Sequence, residues 1–368
     1  MEKIAIIGAG VIGMTLANYL DTNKFDITVF DDSLGQATKA SAGIISPWLS
    51  KRRNKQWYQL AKDGAAFFSK LQQDFALSSS VYKQSGTLII RKEKQLDALY
   101  DLALNRKKGA PEIGDIKRLS SLETTRYLPL LTPSKALFIS GGGRLDGRNY
   151  LNDLKKKAQK KGVHFIHETA SLSFKKDNFM VHYNQKESSF DRLALTCGPH
   201  LGELLKPLQF KVDIRPQKGQ LLVFETNYQK SGQWPVAMLD GEADLTPFEN
   251  GKIILGATHE NEAKWDLSPT HEALEKLWAS SDPFLRDSKA LFSSNIHFRV
   301  GTRAYSSDFA PFFGPIPGLD NLVVASGLGS SGLTTGPYIG YLLAQYLNQK
   351  ARLSPIYQKP IETYLKKI

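Results

Sequence analysis

The chain has 368 residues, more than one hydrophobic core usually spans, so two domains are expected. Apolar residues make up 41% and charged residues 23%, which excludes disordered and fibrous classes. The net charge of +12 is dispersed in short runs without the interleaved aromatics of a base-stacking surface, and a single cysteine excludes a disulfide framework or Cys-rich metal site within the chain.

Ile4 to Ile7 is wholly apolar and predicts a short buried strand. It runs into Gly8-Ala9-Gly10-Val11-Ile12-Gly13, and Met14, Leu16, Ala17 and Leu20 continue as a helix. A second strand, Ile27 to Phe30, ends on Asp31-Asp32. Strand, glycine-rich turn, helix, strand and acid in that order form a dinucleotide-binding pattern. Gly8 makes the turn, Gly10 lets the backbone approach a pyrophosphate, and Gly13 lets the helix pack close on the strand. The helix start, with Val11 and Ile12, turns N–H groups and a positive dipole end toward the phosphates. Asp31, with Asp32 beside it, can accept hydrogen bonds from ribose hydroxyls. This pattern alone does not separate NAD from FAD. The glycines also explain the apolar opening better than a signal peptide does, and no small-residue cleavage site follows. No run reaches the roughly 20 apolar residues of a membrane span. A cytoplasmic location is expected, and the lone Cys197 fits a reducing compartment.

Gly35 to Trp48 is too small and polar for an ordinary core helix. Thr38 and Ser41 carry hydroxyls that can meet phosphate, and Ala42 and Gly43 allow a flat ring to approach. At this point the sequence resembles the D-amino-acid oxidase superfamily of FAD-dependent oxidoreductases, and within it the glycine oxidase branch. The resemblance implies non-covalent FAD, with Ala37, Thr38, Ser41, Ala42, Gly43 and Ile44 along it. It implies an α/β fold: a Rossmann-type FAD-binding domain plus a mixed-sheet (α+β) substrate domain. The expected division is 1–80, 143–208 and 301–368 for the first, and 81–142 and 209–300 for the second.

Trp57, Leu60, Ala61, Ala65, Phe68, Leu71 and Phe75 then keep a helical stripe that includes Gly64. A strand, Gly86 to Ile90, precedes a helix carrying Leu96, Leu99 and Tyr100, and Gly141 to Gly143 reads as a domain crossing. Leu151, Leu154 and Ala158 stripe another helix, whose lysines from Lys155 to Lys161 read as its solvated face. The other basic runs are Lys51-Arg52-Arg53 and Arg106-Lys107-Lys108. Strands follow at Val163 to His167, Phe179 to Tyr183 and Arg192 to Cys197. The last ends in Gly198-Pro199 and resembles the superfamily strand that returns to the dinucleotide, which implies Cys197 and Gly198 at the cofactor. Ala170 matches the position whose backbone touches the adenine. Cys197 reads as a small core residue, not a nucleophile.

Gly219 to Phe224 and Gly251 to Thr258 are further strands, and Ser268 is expected to cap a helix that starts at Pro269. Gly301 to Pro315 resembles the superfamily segment in which an arginine, here Arg303, precedes a loop and a Pro-x-x-Gly strand. Leu322 to Ser326 is a strand, followed by Gly327-Leu328-Gly329-Ser330-Ser331-Gly332-Leu333-Thr334 and a helix from about Pro337 to Leu347. A loop of backbone N–H groups leading to a helix start can stabilise the negative charge of a reduced flavin.

The resemblance assigns Arg303 to the substrate carboxylate, a task suited to a fork that holds both oxygens. Asp244 stands where the family has an active-site tyrosine, and Ser330 where it has a second substrate-side arginine. These departures favour a basic or secondary amine, or leave the carboxylate to Arg303 alone. The seven histidines form no metal-ligand spacing on one helix, and no Ser/His/Asp set is apparent. The expected activity is hydride transfer from the α-carbon of a small amine or amino acid to flavin N5, giving an imine that hydrolyses. Glycine, a D-amino acid and a sarcosine-like amine are the candidate substrates. Oxygen or another acceptor reoxidises the flavin, no nucleic-acid partner is expected, and a homo-oligomer stays open. Two alternatives remain: the same fold acting on a 2-hydroxy acid or modified tRNA base, and a flavin-binding sensor without turnover.

Overall fold

The computed structural model describes residues 1–52, 54–175, 178–241 and 243–368; Arg53 of the first basic run lies outside the described residues. A six-stranded sheet has Glu2–Ile7 near its centre. Parallel neighbours Phe25–Phe30 and Arg192–Leu195 flank it, His164–Ile166 extends one side and Leu319–Ser326 the other. Phe312–Ile316 closes the edge antiparallel. The continuous apolar run of the first strand follows from covering both faces of a parallel sheet. Ile4 and Ile6 enter one core while Ala5 and Ile7 enter another on the opposite face.

Helix Val11–Tyr19 packs on the first face beside Lys55–Phe75 and Gly332–Leu347. Gly64 is the contact point of the last two. A Cβ there would stand 2.5 Å from the Thr334 carbonyl oxygen, so the glycine inside the apolar stripe sets how close these two helices come.

The second large sheet has eight strands, in the order Asn295–Tyr305, Arg215–Glu225, Lys252–Gly256, Asp244–Pro247, Val236–Met238, Thr87–Ile90, Ala136–Ile139 and Ile116–Leu119. Its pairings are antiparallel except that of Val236–Met238 with Thr87–Ile90, so the expected mixed sheet is present. Ile44–Ile45, Gly143–Leu145 and Tyr82–Lys83 form a small sheet at the Gly141–Gly143 crossing.

Several element boundaries differ from expectation, and three are instructive. The helix expected from Pro269 runs from His271 to Ser281, and Thr270 caps it by accepting from Ala273 N at 3.3 Å. Ser268 is engaged elsewhere: its N donates to Asp266 and its carbonyl accepts from Lys218 Nζ at 2.7 Å. The last helix starts at Gly332, not Pro337, so the proline sits inside it. The missing N–H costs a helix bond; close packing of Gly336 on Val11 and a bond from Thr335 Oγ1 to the Ser331 carbonyl hold the turn. The strand expected to reach Cys197 ends at Leu195, although Thr196 N still donates to Ile7 O at 2.8 Å.

Candidate cofactor and substrate site

A cavity of about 850 Å³ opens between the two large sheets. That is near the upper end of the roughly 300–1,000 Å³ of small-molecule sites. At one end the glycine-rich turn works as the spacing predicts. Gly8 adopts φ +103°, and a Cβ at Gly13 would stand 2.0 Å from Gly8 O, so the helix can lie on the strand only without a side chain there. Gly10 differs: a Cβ there would meet only Thr38 Oγ1, at 3.6 Å, and so would project into the cavity.

Asp31 accepts from Ala9 N at 2.5 Å, Ser33 N at 2.6 Å and Gln36 Nε2 at 2.7 Å. Asp32 accepts from Leu34 N and from Thr169 Oγ1. The carboxylates thus brace the turn as well as lining the cavity. Gln36, which the sequence did not single out, lines it too, and its Oε1 is buried with no hydrogen-bond partner. Thr38 Oγ1 accepts from Val11 N at 3.0 Å, and Ser41 Oγ donates to Thr38 O at 2.8 Å. The Ser41 proton offered to phosphate in the sequence reading is therefore spent on shaping the loop, while Thr38 keeps its own.

Ile12, Ala37, Ala42, Gly43, Ile44, Ala170, Cys197 and Gly198 all line the cavity. Burial pushes the Cys197 thiol up to about 12, so it is no thiolate. From the second glycine-rich loop, Leu328, Gly329, Ser330, Gly332 and Leu333 line it. Gly13, Gly327, Ser331 and Thr334 stand behind the wall instead. Ser331 Oγ accepts from Trp57 Nε1 at 3.1 Å, and Thr334 Oγ1 donates to Ile44 O. No side-chain hydrogen bond caps the start of helix Gly332–Leu347 among the described residues, and its first residues, Gly332 and Leu333, bring the positive end of the helix dipole to the cavity wall.

At the other end the eight-stranded sheet contributes Gly219, Asp244, Gly256 and Arg303. Arg303 Nη1 donates to Gln217 Oε1 at 3.0 Å and Thr258 O at 2.8 Å. Both partners are neutral, and no carboxylate among the described residues pairs with Arg303. Asp308, five residues further on, accepts instead from Lys359 Nζ at 2.7 Å and Tyr364 Oη at 3.1 Å. Burial holds Arg303 below the ordinary guanidinium range. Asp244 Oδ1 accepts from Leu239 N at 3.1 Å, and burial pushes its carboxyl up to about 7 against the opposing pull of Arg91. Ser330 Oγ accepts from Arg52 Nη2 at 3.1 Å.

The segment from 259 to 268 runs along the cavity from the end formed by the eight-stranded sheet toward the end formed by the glycine-rich turn. Trp265 stacks on His200 with ring centroids 4.3 Å apart, and Leu267 packs over Gly35. Lys218, buried, ties the segment down through Asp266 at 2.6 Å and holds that carboxyl down to about 2. Nothing in the sequence marked these residues, because an aromatic in a polar loop carries no periodicity. Taken together, two helix starts whose first residues line the cavity and a glycine-lined approach suit a dinucleotide carrying a flat ring.

Comparison with known proteins agrees with this geometry. The family model described as FAD dependent oxidoreductase (DAO) matches residues 3–346. The chain is 38% identical over 358 residues to the uncharacterized oxidoreductase YurR of Bacillus subtilis (strain 168), covering 94% of each chain. It is 26% identical to a glycine oxidase of Pseudomonas aeruginosa, covering 94% of this chain and 95% of the other. The crystal structure of an iminodiacetate oxidase from Chelativorans sp. BNC1 superposes with a TM-score of 0.89 at 27% identity, covering 98% of each chain.

Proposed function

Because the chain belongs to the DAO family of FAD-dependent oxidoreductases, we propose that it oxidises a small amine or amino acid at the carbon bearing nitrogen. The observation that carries this reading is Arg303: a buried guanidinium lining the cavity, held by a glutamine and a carbonyl, with no carboxylate partner among the described residues. A buried cation is costly unless paired, and a substrate carboxylate would pair it.

Arg303 orients the substrate by its carboxylate. Asp244, poised to exchange a proton near neutrality, accepts one from the substrate ammonium and leaves a neutral amine. The nitrogen lone pair then forms the C=N bond as the α-hydrogen leaves with its electron pair. The bound flavin supplies the acceptor for that hydride. Water afterwards splits the imine into a carbonyl compound and an amine. The start of helix Gly332–Leu347, the positive end of its dipole, offsets negative charge at the ring.

The names of similar proteins support an amine: glycine oxidase, iminodiacetate oxidase and D-amino acid dehydrogenase. In this reading residues 1–80, 143–208 and 301–368 hold FAD and 81–142 and 209–300 form the substrate side, with the strand Asn295–Tyr305, which carries Arg303, running across the 300/301 division. No helix among the described residues is long and apolar enough to cross a membrane, and the reading keeps the cytoplasmic expectation.

Arg303→Ala tests it. The variant should retain its flavin yet lose amine-driven bleaching in the absence of oxygen. Unchanged bleaching would remove Arg303 from the site, and bleaching by no amine in the parent protein would overturn the reading.

A further inference from the structure

Gln217 and Arg303 face each other across the neighbouring strands Arg215–Glu225 and Asn295–Tyr305. Arg303 lines the cavity, while Gln217 is buried behind it. Gln217 Oε1 accepts from Arg303 Nη1 at 3.0 Å, and its Nε2 donates to Asn261 Oδ1 at 2.9 Å. The same Asn261 oxygen accepts from Arg215 Nη1 at 2.6 Å. The Arg215 guanidinium lies 5.4 Å from the Tyr305 ring centroid and 5.3 Å from that of Phe309.

These contacts admit one polarity. A guanidinium offers donors and no acceptor. Arg215 therefore requires the oxygen of the Asn261 amide, and Arg303 the oxygen of the Gln217 amide. Turning the Gln217 amide over would set its NH2 group against Arg303 and its oxygen against the Asn261 oxygen, so both bonds would break. Asn261 belongs to the 259–268 segment, which is fastened to the strand that carries Gln217. Lys218 Nζ donates to Ser268 O at 2.7 Å, and Gln220 Nε2 donates to Thr270 Oγ1 at 3.0 Å. The segment thus holds the Gln217 amide with its oxygen toward Arg303.

The neutrality of that oxygen matters. A carboxylate of the same length would fix the arginine equally well and neutralise it. The amide fixes the guanidinium and leaves its charge. The other acceptor, Thr258 O, is neutral too. Glu260 lies within electrostatic reach of Arg303, but it accepts from Gln220 Nε2 at 3.0 Å and from Thr258 Oγ1. A cation held rigidly at full charge loses little entropy when it meets an anion.

We propose that Gln217 is a positioning residue that sets specificity: its amide, oriented by Asn261, holds Arg303 in place without neutralising it, and so selects amines that carry a carboxylate. The proposal rests on the amine-oxidising reading above. Gln217 touches neither substrate nor cofactor and acts through Arg303.

The test uses the FAD-loaded protein and two inert probes of similar shape, acetate and acetamide. They are titrated at neutral pH and constant ionic strength, and binding is read as perturbation of the visible flavin spectrum. In the parent, acetate should bind the tighter. Gln217→Glu keeps the size and the hydrogen bond but gives Arg303 an internal counter-ion. Acetate affinity should then fall about ten-fold or more while that of acetamide is kept. Asn261 is exposed, and Asn261→Ala frees the Gln217 amide to turn. Loss of that bond should weaken acetate roughly 2- to 10-fold, again sparing acetamide. Unchanged acetate affinity in either variant would overturn the proposal, and so would an equal loss for both probes. If Gln217→Glu does not fold, Asn261→Ala decides alone by the same criteria. Additions of glycine, sarcosine and D-amino acids without oxygen separate this proposal from the reading it rests on. An amine that bleaches the parent, with acetate affinity indifferent to Gln217, sinks only the role of Gln217. No bleaching by any amine sinks the amine-oxidising reading itself.

Discussion

The guanidinium of Arg303 lies across Gly219 on the neighbouring strand, so closely that a Cβ there would stand 2.6 Å from Cζ. The pairing of Gln217 with Arg303 and of Gly219 with Gly301 sets this geometry. Gly219→Ala should therefore push the arginine out of place without touching the nucleotide end. Loss of one charged hydrogen bond corresponds to about 1.5–3 kcal/mol, or roughly 10- to 100-fold in KM. Steady-state kinetics and the flavin spectrum check this together: KM rises and FAD content stays. An unchanged KM would mean that Arg303 does not hold the substrate.

The glycines of the first turn should fail in different ways. Gly13→Ala places a Cβ 2.0 Å from Gly8 O and should cost folded protein. Gly10→Ala meets nothing closer than 3.6 Å, so the apoprotein should keep its melting temperature while FAD affinity falls by roughly ten-fold or more. Thermal melts of the apoproteins and FAD titration distinguish the two. Equal loss of stability in both would contradict the separate roles.

Asp244 predicts a pH dependence of two kinds. Its carboxyl is raised to about 7 by burial. Substrate-driven bleaching should rise through that pH as the carboxylate forms, and Asp244→Asn should flatten the rise. For stability the sign is opposite. Between the ordinary carboxylate range and pH 7 the folded chain holds a proton that the unfolded chain has released, so stability falls as pH increases. Asp244→Asn should remove that fall, and its melting temperature relative to the parent should climb between pH 5 and pH 8, each unit of pKa being worth about 1.4 kcal/mol. A constant difference across that window would place the titration elsewhere.

Trp265 should matter to the cofactor although it comes from the substrate side. Its stack on His200 is worth about 0.5–1.5 kcal/mol, so Trp265→Ala should release FAD roughly 2- to 10-fold faster in a dilution assay. An unchanged release rate would show that the 259–268 segment does not retain the dinucleotide.

The nucleotide end was legible in the sequence because its determinants are local. Gly8, Gly10, Gly13 and Asp31 lie within one strand-helix-strand unit, and spacing alone assigns their tasks. Arg303 was legible only through resemblance. The remainder depends on contacts between distant segments. Nothing near Arg52 in the chain signals that it will meet Ser330, and a basic run reads as surface until the fold buries it. Ser268 has the composition of a cap, but Lys218 claims its carbonyl and the cap passes to Thr270. Pro337 reads as a helix start because proline weakens a helix interior, yet packing of Gly336 on Val11 carries the helix through it. Thr38 and Ser41 have the right chemistry for phosphate, and the loop uses one of their two hydroxyl protons for itself.

Oxidation by FAD of an amine whose carboxylate Arg303 holds has a direct spectroscopic signature. The most direct measurement is the visible spectrum of the purified protein, followed without oxygen during additions of glycine, sarcosine, iminodiacetate, D-amino acids and 2-hydroxy acids. The expected result is a yellow protein that one class of amine bleaches and 2-hydroxy acids do not. A yellow protein bleached by 2-hydroxy acids alone, or a colourless protein that takes up no added FAD, would contradict it.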